Sequence, residues 1–163
     1  MSINTKDGDS PELTGRLEAV TVLPHGSRPV PDDVARTRGR LITDILKANQ
    51  FMLVEHKAVE VCRLTLGLEH GRVLWQVSCD EEVLRRHLMS MSGVRKIIKD
   101  YNLICDQYQK AVQGARAQQV EAIDMGRRGV HNEGAEALQQ RLAHVMAMDF
   151  ETARRLFALI CTL

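Results

Sequence analysis

Aromatic residues are scarce in this sequence: one Trp, two Tyr and three Phe make up 4% of 163 residues. The core must therefore be aliphatic, built from Leu, Ile, Val, Ala and Met. There is no surplus of either charge, because 22 basic residues stand against 21 acidic ones and leave a formal net charge of +1. Binding to nucleic acid or to an acidic membrane draws on excess Lys and Arg to displace counterions, so neither is expected as a partner. No apolar run reaches the roughly 20 residues that span a bilayer. The segment from Met1 to Glu12 also lacks the basic start and apolar centre of a secretory signal. A cytoplasmic chain without membrane contact is the expectation.

Motifs for bound metals and nucleophiles are missing as well. The four cysteines, Cys62, Cys79, Cys105 and Cys161, are widely scattered, with no pair at metal-ligand spacing. Cys105 and Cys161 each follow an Ile within an apolar helical pattern, so reduced, buried, structural thiols are expected. No Lys-Ser/Thr pair completes a phosphate loop, and no serine occupies a Gly-x-Ser-x-Gly elbow. His131 and Glu133 form a His-x-Glu pair, but two further ligands would have to come from elsewhere, such as His87, His144 or Asp124. No metal and no cofactor are expected.

What remains is an ordinary globular balance, with 44% apolar and 26% charged residues, enough for one core. The polar segment 1–12 is expected as a flexible tail and 13–163 as a single domain. A short strand is expected over 13–23, with Leu17, Ala19, Thr21 and Leu23 in one phase, before the Pro24-His25-Gly26-Ser27 loop. Pro31-Asp32-Asp33 opens a helix with Val34, Leu41, Ile42, Ile45 and Leu46 inward. The strongest β signal lies over about 59–79. Cys62, Leu64, Leu66 and Leu68 alternate on the way out, and Val73, Trp75, Val77 and Cys79 on the way back, around a turn at Gly71. Phe51 to Val54 adds a strand fragment. Residues 83–91 carry both helical and strand patterns and are read as a strand, because a lone hairpin rarely survives in water.

From Ser92 onward the pattern is helical. Ser92 is read as the cap of a helix with Val94, Ile97, Ile98, Tyr101, Ile104, Cys105, Tyr108 and Val112 on one stripe. A second helix carries Val120 and Ile123 and is expected to break near Gly126. A third is expected from about Asn132, its cap, to Leu142, and Asp149 caps a last helix. Strands first and helices afterwards read as α+β: a small antiparallel sheet packed by a helical C-terminal half.

The segment from Glu121 to Gly134 holds the densest functional groups. Gly126, Gly129 and Gly134 frame two arginines, a histidine and an asparagine, with three carboxylates beside them. Glycine-bracketed backbone at a helix start can offer N–H groups to an anion, and adjacent arginines can close on it as a fork. The candidate ligand- or partner-binding residues are Asp124, Arg127, Arg128, His131, Asn132 and Glu133. A plain interhelical turn accounts for the same residues and is the reading that chemistry alone prefers. Arg85-Arg86-His87, Arg95-Lys96-Lys99 and Arg154-Arg155 are read as solvated faces.

Three stretches carry a likeness to a known family: Ile97 to Tyr101 with Ile104-Cys105, then Glu121 to Ala135, then Asp149 to Cys161. In these the chain resembles the bacterial Uncharacterised Protein Family zero-two-six-two, well over residues 88–163 and in outline over the hairpin half. The resemblance implies a compact bacterial cytoplasmic protein and carries no substrate, cofactor or catalytic residue. Two functions stay open. One is a non-catalytic binding or regulatory protein that engages another protein through the 121–134 loop and helical surface. The other is a small enzyme or anionic-ligand-binding domain with a pocket around Arg127, Arg128, His131 and Glu133, in which His131 exchanges protons. Whether the chain is an enzyme, and whether it forms a homo-oligomer, are left open.

Overall fold

The computed structural model describes residues 12–163; the tail expected over 1–12 lies, except for Glu12, outside the described residues. The chain runs through β1 (Arg16–Val22), α1 (Asp32–Lys47), β2 (Phe51–Leu53), β3 (Val61–Glu69), β4 (Arg72–Cys79) and β5 (Glu82–Ser90). It continues through α2 (Arg95–Gly114), α3 (Ala117–Leu142), β6 (Met146–Met148) and α4 (Phe150–Ile160). This is an α+β domain.

Alternation decides the hairpin. Leu64 pairs with Val77, Leu66 with Trp75 and Leu68 with Val73. Cys62, Leu64, Leu66, Val73, Trp75 and Val77 are all buried, in the expected phase. His70 and Gly71 connect the strands with φ of 52° and 73°, the paired positive φ of a two-residue turn that follows the strand twist. β5 pairs antiparallel with β4, as the strand reading of 83–91 requires. The sheet order is β1-β3-β4-β5, and β1 runs parallel to β3, so the sheet is mixed and not wholly antiparallel. The long crossover through α1 and β2 returns the chain to the starting edge before β3, which is what parallel pairing needs.

Three local expectations fail for identifiable reasons. In β1 the inward residues are Leu17 and Val20, because a register shift between Leu17 and Ala19 changes the phase. Ser92 does not cap α2: the helix starts after Val94, and Gly93 turns the chain with φ of 80°. The buried position near its end is Ala111, whereas Val112 is 57% exposed. A second small sheet, β2 with β6, pairs Phe51 with Met148 and Leu53 with Met146. Only its β2 half is expected from the sequence; β6, equally short, is a strand through its pairing with β2.

The largest correction concerns 121–134. There is no break at Gly126 and no restart at Asn132; α3 is one helix of 26 residues. Glycine disfavours a helix interior by about 1 kcal/mol, but two of these glycines let helices approach. A β-carbon on Gly126 would lie 2.9 Å from Ile104 Cδ1 of α2, and one on Gly134 would overlap the Phe157 ring of α4. α3 therefore packs on α2 along one part and on α4 along another. Gly129 faces open space, and nothing in the structure explains it.

α4 is buried nearly all round, with Thr152, Ala153 and every residue from Leu156 to Ile160 inside. Asp149 stands at its N-cap position, as expected. Its carboxylate accepts hydrogen bonds from Thr152 Oγ1 and, at 3.0 Å, from the Gln50 backbone N–H, tying the helix start to β2. Arg154 and Arg155 were expected on a solvated face but are half-buried, because α4 has no face left for solvent alone. Among the described residues, no helix is long and apolar enough to cross a membrane.

Candidate functional site

On a continuous helix, residues three and four apart share a face. Asp124, Arg127, Arg128 and His131 have this spacing, and α3 turns them together toward α1, α2 and α4. Asn132 and Glu133 are carried around the helix by about 100° per residue; both are exposed and do not line the cleft. Four of the six candidates are thus brought together and two are not. The site is a helix face, not the loop expected from the glycines.

Asp124 organises the two arginines. Its Oδ1 pairs with Arg127 Nη2 at 2.5 Å, and its Oδ2 with Arg128 Nη2 at 2.9 Å. The hydrogen bond from Arg127, with the charges of both arginines, holds its carboxyl below the usual carboxylate range. The Arg127 guanidinium also lies over the Tyr108 ring, 4.2 Å from its centroid.

His131 is bound to one residue through both ring nitrogens. Its Nε2 lies 2.5 Å from the Arg154 backbone carbonyl, and its Nδ1 lies 3.4 Å from Arg154 Nη2. A carbonyl can only accept, so Nε2 carries the hydrogen and Nδ1 offers its lone pair to the guanidinium. Burial, more than the nearby arginines, lowers the His131 pKa, so the ring is neutral at pH 7. No ring nitrogen is left to exchange a proton with a ligand. Tyr101 stacks on it with ring centroids 5.0 Å apart.

Around these groups lies a cleft of about 270 Å³. α1 contributes Arg40, α3 contributes Arg127, Arg128 and His131, and α4 contributes Arg154 and Arg155. Arg154 Nη1 pairs with Glu151 Oε1 at 3.1 Å, while its buried Nε has no hydrogen-bond partner. Arg155 Nη1 donates to the Ala48 carbonyl at 3.1 Å. Among the described residues, neither Arg40 nor Arg155 pairs with a carboxylate. Five arginines and no carboxylate are among the residues that line the cleft; Arg155 also reaches the neighbouring cleft, where Ala48, Asp149 and Glu151 lie. Sequence reasoning missed Arg40 altogether and set Arg154 and Arg155 aside. The only available signal was an arginine doublet flanked by Ala153 and Leu156 in an apolar helix.

A second cavity of about 240 Å³ adjoins the first, sharing Arg40, Leu41, Tyr101, Arg127 and Ala158. Cys105 and Cys161 line it half-buried, not fully buried as expected, and burial raises both thiol pKa values. All four cysteines are free. His131 and Glu133 do not converge. Among the described residues, no three His, Cys, Asp or Glu side chains gather to hold a metal ion. His87 and His144, two of the further ligands that a metal at His131 would need, pack edge-to-face with each other at 5.6 Å.

The profile of the Uncharacterised protein family (UPF0262) matches residues 14–163. A UPF0262 protein of Allorhizobium ampelinum is 41% identical over 132 residues, covering 80% of this chain and 83% of the relative. One from Rhizobium meliloti is 42% identical with the same coverage, and one from Brucella canis is 39% identical over 80% and 82%. No solved structure matches the chain.

Proposed function

The chain belongs to the Uncharacterised protein family (UPF0262), and we propose that it is a binding protein for a small anion, held in the four-helix cleft by Arg40, Arg127, Arg128, Arg154 and Arg155. The observation that carries this reading is that five arginines and no carboxylate line one cleft, in a chain whose net charge is only +1. Gathered like charges repel, and a partly enclosed basic cleft focuses its field on an entering anion. Asp124 and Glu151 pair with Arg127, Arg128 and Arg154 and offset part of their charge, while Arg40 and Arg155 keep theirs without a carboxylate partner among the described residues.

Binding without chemistry is supported by what surrounds the cleft. Both His131 nitrogens are engaged by Arg154, and burial keeps the neighbouring thiols protonated. The other reading, a binding or regulatory protein that engages another protein through the 121–134 loop and helical surface, loses the loop because that segment is helical, and would rest on helical surface alone.

Thermal denaturation in phosphate, sulfate and chloride at matched ionic strength tests the proposal. A ligand that binds only the folded state stabilises it by RT ln(1 + [L]/Kd), about 2.7 kcal/mol at a hundredfold excess over Kd. At millimolar concentrations, too dilute for the general stabilisation these salts exert by exclusion from protein surfaces, phosphate or sulfate should raise Tm over chloride, and Arg127→Gln with Arg154→Gln should abolish the difference. Equal Tm in all three salts would refute an anion site.

A further inference from the structure

The two adjoining cavities differ in chemistry. The first is lined by guanidinium groups. The second is lined, beyond the shared wall, by the thiols of Cys105 and Cys161 and by neutral hydrogen-bonding side chains: Thr37 of α1, Asn102, Tyr108 and Gln109 of α2, and Thr162 after α4. Neither cavity is lined by a carboxylate. Arg127 and Tyr101 stand at the junction and belong to both walls. A free inorganic anion would use only the first cavity and leave the second, of similar size, without a role.

Building on the anion-binding reading above, we infer that the ligand is a phosphate monoester of a small polyol or sugar, with its phosphate among the arginines and its hydroxylated body against Thr37, Asn102 and Gln109. A phosphate dianion matches several planar guanidinium forks, which bind its oxygens in pairs. Hydroxyl and amide side chains exchange hydrogen bonds with hydroxyl groups without requiring charge. The size agrees: the cavity, about 240 Å³, far exceeds the roughly 10–15 Å³ of such space that one water needs, and has room for a small polyol. The wall is also braced in advance. Arg38 donates from Nη2 to the Thr162 carbonyl at 2.6 Å and from Nε to its hydroxyl at 3.0 Å. That hydroxyl donates in turn to the Leu159 carbonyl at 2.6 Å. Asn102 Nδ2 donates to the Cys161 carbonyl at 3.4 Å, which sets its amide with the oxygen free to accept. Preorganised groups lose less freedom when a ligand arrives.

Calorimetric titration of the full chain with inorganic phosphate, glycerol 3-phosphate, ribose 5-phosphate and ribose tests this. At least one of the two esters should bind about tenfold or more tighter than inorganic phosphate, a gap of about 1.4 kcal/mol, and ribose alone should not bind. Thr37→Val with Gln109→Ala should close the gap and leave inorganic phosphate affinity unchanged. If the esters bind no tighter than inorganic phosphate, or the gap survives the double substitution, the polyol assignment falls and the anion site stands. If no phosphate compound binds, the anion site falls, and this inference falls with it.

Discussion

Gly134 of α3 lies against the ring of Phe157 of α4 so closely that a β-carbon there would overlap three ring carbons. Both residues are buried, and neither helix can withdraw without opening the core around Leu138 and Leu156. Gly134→Ala should therefore destabilise the protein by about 1–3 kcal/mol, as overpacking does, although alanine is the better helix former. Gly129→Ala, five residues earlier on the same helix with open space beside it, should stabilise by about 0.5–1 kcal/mol. Urea denaturation of both variants checks the contrast. Stabilisation by both would mean that Gly134 is not a contact glycine.

His131 should make stability depend on pH. Its folded pKa lies below the unfolded value of about 6.5, chiefly through burial. Between those two values the unfolded chain binds more protons than the folded one, so stability rises with pH. The contribution is complete above about pH 6.5 and is lost as pH falls through the folded value. His131→Gln keeps a donor for the Arg154 carbonyl but cannot titrate. Its loss of stability from pH 7 to 5 should be smaller than that of the parent, measured by denaturant midpoint. An identical slope would show that His131 does not titrate differently in the two states. His87, also lowered mainly by burial, should add a separate increment of the same sign.

Asp149 and Asn132 separate a true helix start from one read only in the sequence. The Asp149 side chain makes no bond to the α4 backbone, but Asp149→Ala removes the acceptor for Gln50 N–H and Thr152 Oγ1 and should cost about 1–3 kcal/mol. Asn132 was read as a cap whose loss would cost about 1 kcal/mol, but it is exposed within α3. Asn132→Ala should instead be neutral or slightly stabilising, because alanine has the higher helix propensity. Thermal unfolding of the pair distinguishes the two positions.

Arg40 offers a test in which stability and binding part. It has no carboxylate partner among the described residues and lines the same cleft as four other arginines. Arg40→Gln should leave stability within about 0.5 kcal/mol of the parent or raise it, while weakening phosphate binding. A clear loss of stability together with unchanged affinity would place Arg40 in the architecture and not in the site. Such exchanges of stability for function are expected where like charges are gathered for a ligand.

Period and turn chemistry in the sequence determined the β3–β4 hairpin, the strand at β5, the start of α4 at Asp149 and most of the apolar face of α1, where Ile45 is buried but Leu46, expected beside it, is exposed. Each depends on neighbours within a few residues, such as the alternation from Cys62 to Leu68 or the positive φ that Gly71 supplies. The chain by itself also singled out the segment holding Asp124, Arg127, Arg128 and His131. It could not decide whether Gly126 and Gly134 end a helix or let two helices touch, because the deciding atoms, Ile104 Cδ1 and the Phe157 ring, lie on other elements. The same holds for the parallel pairing of β1 and for β6, whose three residues become a strand only beside β2. The cleft was the least legible feature. Arg40 is 87 residues from Arg127 in sequence, and only the packing of α1 and α4 against α3 brings their guanidinium groups together.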